Sequence, residues 1–203
     1  MVIPMSPEQS MEKPAWRKFQ RQRWKESCPD DRAAACAALA SHLTSWLAGR
    51  PGRPIILWYS PLDDEPDLRA LTTACRADGW PVALPKVEPG GLGIFRWDGN
   101  PADLTPGAFG ILEPDPDRCQ RVGAADIGLA IIPGLAFDPA TGIRLGRGAG
   151  YYDRLLARPG FAAVTIGVAA PWHLATPLPC EAHDRPMDLL ATATGMIDID
   201  ARR

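Results

Sequence analysis

The chain has 203 residues, 46% hydrophobic and 23% charged, a globular composition with enough length to bury a core. A net charge of −2 excludes a general electrostatic pull toward nucleic acid or an anionic membrane. No apolar run approaches the about 20 residues of a membrane-spanning helix.

Residues 1–12 read as a flexible N-terminal tail, and 13–203 as a single α/β domain. Lys13 to Lys25 carries six basic residues (Lys13, Arg17, Lys18, Arg21, Arg23, Lys25) and no acid, at roughly helical spacing with Pro14 in the first turn. Pro29-Asp30-Asp31 breaks and recaps the chain, and a second helix is predicted from about Arg32 to Leu47, ending near Gly49. Ile55 to Tyr59, between Pro54 and Pro61, has the pattern of a buried strand. Glu65 to Asp78 reads as a helix stopped by Gly79. Pro81 to Pro85 and Gly93 to Trp97 read as strands, and residues 99–121 as loop around a short segment near Phe109 to Leu112. Further strands are predicted at Ile127 to Ile132, Ala162 to Ala169 and Asp188 to Ala193, with a short helix over Gly150 to Ala157. Strands alternating with helices predict a three-layer α/β/α fold around a mostly parallel sheet.

The five cysteines, Cys28, Cys36, Cys75, Cys119 and Cys180, are scattered and odd in number, so they read as reduced thiols of a cytoplasmic protein rather than a disulfide framework or metal knuckle. The N-terminus lacks an apolar signal region.

The stretch that carries chemistry is Arg144-Leu145-Gly146-Arg147-Gly148-Ala149-Gly150-Tyr151-Tyr152-Asp153. It follows a predicted strand and the Pro133-Gly134 turn, and it leads into a helix. Alternating glycines let successive N–H groups converge as an anion nest, and the helix start adds free amides and positive potential. Arg144 and Arg147 supply forked donors for phosphate oxygens, and Asp153 a hard oxygen ligand for Mg²⁺. The pattern is neither a Walker loop nor a dinucleotide fingerprint. A plain reading also stands, in which the glycines merely turn the chain. The basic helix likewise reads as a solvated face, and Asp184 as an ordinary turn aspartate.

Leu129-Ala130-Ile131-Ile132-Pro133-Gly134-Leu135-Ala136-Phe137-Asp138, followed by Arg144 to Asp153, closely resembles the 5-formyltetrahydrofolate cyclo-ligase family, also called 5,10-methenyltetrahydrofolate synthetase. The likeness runs in order from Lys13 and Arg17 through Tyr59 to Leu71, Leu84-Pro85-Lys86-Val87, Trp97, Glu113-Pro114 and His183-Asp184, covering roughly residues 13–193. It implies an ATP- and Mg²⁺-dependent closure of 5-formyltetrahydrofolate to 5,10-methenyltetrahydrofolate, with release of ADP and phosphate. The charge, the cysteines and the lack of apolar runs lead us to expect a cytoplasmic protein without nucleic-acid or membrane partners, and a monomer. Phosphorylating the formyl oxygen makes that carbon electrophilic and gives it a leaving group, so that N10 attacks; positioning and charge neutralisation carry such chemistry.

By the same resemblance, ATP falls to Lys13, Arg17, Arg144, Leu145, Gly146, Arg147, Gly148, Ala149, Gly150, Tyr151 and Tyr152. Folate falls to Leu62, Asp67, Trp97 and the stretch Arg147, Gly148, Ala149, Gly150, Tyr151. Asp153 and Asp184 are the implied Mg²⁺ ligands, and Arg147, between nucleotide and formyl oxygen, the main electrostatic catalyst. Trp172-His173 departs from the glutamine often found there in the family, and His173 reads as structural. Two rivals remain. A sugar-phosphate isomerase or hydrolase would use the same nest with a general base and no ATP, and a non-catalytic binder would retain folate or nucleotide without turnover.

Overall fold

The computed structural model describes residues 11–181 and 183–199. Residues 1–10 of the expected tail lie outside the described residues.

Two helices open the fold. The first, α1 (Lys13–Glu26), has Pro14 in its first turn and Arg23 and Lys25 in its last, where cations meet the negative end of the helix dipole. It is more than a solvated basic rod, because Trp16, Gln20 and Trp24 form a buried stripe at four-residue spacing. The second, α2 (Pro29–Ala48), starts on Pro29 with Asp30 and Asp31 in its first turn and buries Leu39, Leu43 and Leu47 along one side. Truncating one of these leucines to alanine costs about 2–5 kcal/mol.

Then come β1 (Ile55–Leu57), α3 (Arg69–Ala77), β2 (Val82–Glu88) and β3 (Gly91–Arg96). Next are β4 (Leu104–Pro106), β5 (Leu112–Pro114), β6 (Ile127–Ile132), β7 (Ala136–Phe137) and β8 (Arg144–Leu145). The chain closes with α4 (Tyr151–Leu156), β9 (Val164–Ala169), β10 (Leu189–Thr192) and β11 (Gly195–Asp198). The main sheet has seven strands in the order β11-β10-β9-β6-β1-β2-β3. Neighbours from β10 to β2 pair in parallel, while the edge strands β3 and β11 are antiparallel to their neighbours.

Alternation along the strands divides the core into two faces. Leu39, Leu43 and Leu71 from α2 and α3 pack with Ile56, Trp58, Leu129 and Ile131 on one. Leu155 of α4 packs with Leu57, Ala130 and Ile132 on the other. This is the three-layer arrangement expected from alternating elements.

Several elements differ from the sequence expectations. The helix after β1 begins at Arg69 rather than Glu65, because Pro66 interrupts and the Asp67 carboxylate accepts the Arg69 N–H at 3.0 Å. The first strand ends at Leu57, although Trp58 still donates to the Ala83 carbonyl at 2.9 Å. The stretch read as loop over 99–121 contains the β4–β5 pair, whose prolines, Pro106 and Pro114, both sit at strand ends. Finally, β11 closes a hairpin on β10 that the sequence reading left out.

Candidate active site

The site lies beyond the carboxyl ends of β1 and β6, where connections leave the parallel sheet in opposite directions. Segment 58–67 follows β1, and Pro133-Gly134 follows β6 into the β7–β8 ribbon. The Leu135 N–H donates to the Leu145 carbonyl at 2.9 Å, so the ribbon fixes where the glycine loop begins. Trp16 of α1 packs on Leu135, Ala136 and Leu145, which lays the first helix across that loop.

Gly148 and Gly150 have φ of +103° and +66°, conformations that a side chain rarely tolerates, and they give the alternation that an anion nest needs. No N–H from Gly146 to Gly150 is donated to a backbone carbonyl among the described residues. The amides therefore remain available to a ligand at the start of α4.

Three guanidinium groups converge here. Arg17 Nε donates to the Gly146 carbonyl at 2.9 Å. Buried Arg144 donates to the Pro133 carbonyl at 3.3 Å and to Asp153 Oδ1 at 2.5 Å. Arg147 donates through Nε to Glu65 Oε1 at 3.0 Å and through Nη2 to Asp64. Burial lowers Arg147 to about 10, with Arg21 adding repulsion. Burial raises Glu65 to about 7, against the opposing Leu62 N–H and the charge of Arg144.

One turn before Arg17, Lys13 Nζ donates to both oxygens of Asp184, at 2.9 and 2.7 Å, and lies 3.3 Å from Glu181. Burial alone would raise Asp184, but Lys13 and the Glu181 N–H outweigh it and hold the carboxyl below the ordinary range. Lys13 is raised in turn, Asp184 overcoming its own burial.

Two adjoining cavities open beside the loop. The smaller, about 100 Å³, is lined by Glu113, Phe109, Arg147, Tyr151 and Asp153 among others. The larger, about 1010 Å³, has Trp24, Arg32, Asp67 and Trp97 in its wall. Ser60, Leu62, Glu65, Phe109 and Ile111 belong to both.

The expected residues thus fall into three groups. Arg144, Gly146, Arg147, Ala149, Gly150, Tyr151, Tyr152 and Asp153 line the smaller cavity, and exposed Gly148 lies under Arg17. Leu145 points its side chain into the core, so only its backbone faces the loop. Leu62 reaches both cavities, whereas Asp67 and Trp97 border only the larger. Exposed Asp67 is clamped by Arg69 at 2.5 Å, and buried Trp97 donates its indole N–H to the Asn100 carbonyl at 3.0 Å.

Asp153 and Asp184 each belong to a separate ion pair, and no group of three or more His, Cys, Asp or Glu able to hold a metal occurs among the described residues. Sequence reasoning missed Asp64 and Glu65. The visible signal was the acidic run Asp63-Asp64-Glu65 ahead of Pro66, of which Glu65 was read instead as a helix start. His173 is buried against Trp24, ring planes 1° apart with centroids 5.6 Å apart, and its Nδ1 has no partner among the described residues. No helix among the described residues is long and apolar enough to cross a membrane.

Comparison with known proteins agrees with this architecture. A family model described as the 5-formyltetrahydrofolate cyclo-ligase family matches residues 9–193. The chain is 35% identical to a 5-formyltetrahydrofolate cyclo-ligase of Mycolicibacterium smegmatis over 161 residues, 75% of this chain and 81% of that protein. Its fold superposes on the NMR structure of Aquifex aeolicus 5,10-methenyltetrahydrofolate synthetase with a TM-score of 0.79 at 34% identity, covering 93% of each chain. A Mycoplasma pneumoniae 5,10-methenyltetrahydrofolate synthetase shares the fold at a TM-score of 0.73 and 18% identity, over 90% of this chain and 99% of that one.

Proposed function

The chain belongs to the 5-formyltetrahydrofolate cyclo-ligase family, and from that membership we propose that it converts 5-formyltetrahydrofolate to 5,10-methenyltetrahydrofolate at the expense of ATP, with Mg²⁺. The observation that carries the ATP-dependent reading is the convergence of Arg17, Arg144 and Arg147 on one glycine loop whose amides stay unengaged beside a cavity.

A formyl group on nitrogen is an amide, with a weakly electrophilic carbon and a poor leaving group. Transfer of the terminal phosphoryl of ATP to the formyl oxygen remedies both. N10 then forms a bond to that carbon, the C–O bond breaks, phosphate leaves and N10 gives up its proton. The protein's task is to align these atoms and neutralise charge. Lys13 and Arg17, one turn apart on α1, reach the nucleotide from one side. The loop amides cradle phosphate oxygens, and Arg144 is held in place by Pro133 and Asp153. Arg147 leaves its acidic partners for the moving phosphoryl group. Tyr151, half-buried in the cavity wall and edge-on to Phe109, offers a ring face to the pterin.

The residues fit Mg²⁺ as a site shared with the nucleotide. Mg²⁺ commonly takes one or two carboxylates and completes its shell with phosphate oxygens and water. Asp153 faces the cavity beside the loop and is the natural ligand. Asp184, now paired with Lys13, would be the second ligand if Lys13 turned to phosphate. The ion would neutralise charge on the transferred phosphoryl.

The test is direct. Purified protein with ATP, Mg²⁺ and 5-formyltetrahydrofolate should generate the methenyl chromophore and ADP in equal amounts. Absence of both products at saturation overturns the reading, and turnover without ATP favours an isomerase or hydrolase.

A further inference from the structure

Four arginines line the two cavities: Arg32, Arg69, Arg144 and Arg147. Three are committed to carboxylates: Arg69 to Asp67, Arg144 to Asp153, and Arg147 to Asp64 and Glu65. Arg32 is different. Among the described residues it has no carboxylate within ion-pair distance, and its buried Nε finds no acceptor. Its guanidinium sits 5.1 Å from the centroid of the Trp24 ring, and both residues face the larger cavity. An indole behind a guanidinium limits its hydration and fixes its plane, which favours a forked pair with a carboxylate. A buried donor without a partner is costly, so a ligand that supplies the acceptor gains by relieving it.

The substrate's charge is distributed to match. Its pterin end, where the reaction occurs, is uncharged, while the opposite end is a p-aminobenzoyl-glutamate with two carboxylates. Placing the formyl group near Arg147 sends that tail through the shared wall of Leu62, Phe109 and Ile111 into the larger cavity. At about 1010 Å³ that space has room for the tail. Leu104 and Ile111 supply apolar wall for the aminobenzoyl ring.

We infer that Arg32, backed by Trp24, forms a carboxylate subsite for the glutamate tail of the folate. This inference rests on the substrate reading above. It sets substrate affinity rather than the chemical step.

The experiment compares 5-formyltetrahydrofolate with the carboxamide of 5-formyltetrahydropteroate, which keeps N10 but carries no carboxylate. Affinities are measured by equilibrium titration, and KM by turnover, for the wild type, Arg32→Gln and Arg32→Lys. The wild type should prefer the glutamate-bearing compound by about tenfold, the worth of one charge-assisted pair. Arg32→Gln should lose that ratio while binding the pteroate compound as the wild type does, and Arg32→Lys should keep part of it. An unchanged ratio in Arg32→Gln, an equal weakening of both compounds, or no preference in the wild type overturns the inference. A wild type that discriminates between the compounds but turns over neither overturns the cyclisation reading and leaves the subsite standing.

Discussion

Glu65 Oε1 accepts a hydrogen bond from Arg147 Nε at 3.0 Å, joining the segment after β1 to the glycine loop across 82 residues of sequence. The same carboxylate takes the Leu62 N–H through Oε2 at 3.1 Å. Glu65 therefore fixes both its own turn and the arginine assigned to the transferred phosphoryl.

Arg147→Ala is expected to lower kcat about 10²-fold or more, the effect of removing one preorganised donor to developing charge. The fold should survive, because Glu65, already raised by burial, takes up a proton when its partner is removed. Steady-state kinetics alongside thermal unfolding separate the two effects, and an unchanged kcat refutes the assigned role.

Glu65 also imposes a pH dependence on stability. Its folded carboxyl sits at about 7, above the ordinary 4.5. Between those values the folded chain binds more protons than the unfolded one, so the stability present at low pH is lost as pH rises through about 7. Glu65→Gln removes that loss. Its Tm relative to the wild type should climb from pH 5 to pH 8, by at most about 1.4 kcal/mol of stability per pH unit. A difference independent of pH contradicts the assignment.

Asp153→Asn tests the Mg²⁺ site. The Mg²⁺ concentration for half-maximal activity should rise about tenfold or more, the usual consequence of losing a hard oxygen ligand. Titrating Mg²⁺ at fixed ATP reads this out. A normal Mg²⁺ dependence counts against Asp153 as ligand.

His173 predicts the opposite slope to Glu65. Burial, followed by the charges of Arg23 and Arg147, lowers it to about 3 from an ordinary 6.5. Within that window the unfolded chain binds more protons, so stability held above about 6.5 is lost as pH falls toward 3. His173→Phe keeps a ring against Trp24 without the titration and should lose less Tm between pH 7 and pH 5 than the wild type. Equal losses would show that His173 does not govern this acid sensitivity.

Much of the architecture was legible because it follows local rules. The apolar run Ile127 to Ile132 became the central strand β6, and the helix expected from about Arg32 to Leu47 became α2. The glycine loop was legible as a loop too, its Gly148 and Gly150 taking the positive φ that alternating glycines allow. What escaped depended on distant partners. Nothing near Glu65 announces that it is buried against an arginine 82 positions later. The β4–β5 pair was obscured by prolines that sit only at strand ends. The division between two cavities of the residues expected to meet folate is likewise a property of packing, which puts Asp67 and Trp97 beside the larger one.

The placement of α1 also bears on how the protein is made. Its partners, the Gly146 carbonyl and the Asp184 carboxylate, lie 129 and 171 residues farther along the chain. On the ribosome the first helix emerges long before either exists, and contacts of such separation form late. The seat of the first helix is therefore completed only when the chain has been synthesised as far as Asp184. A nascent or prematurely terminated chain lacking Asp184 is without the carboxylate that Lys13 grips.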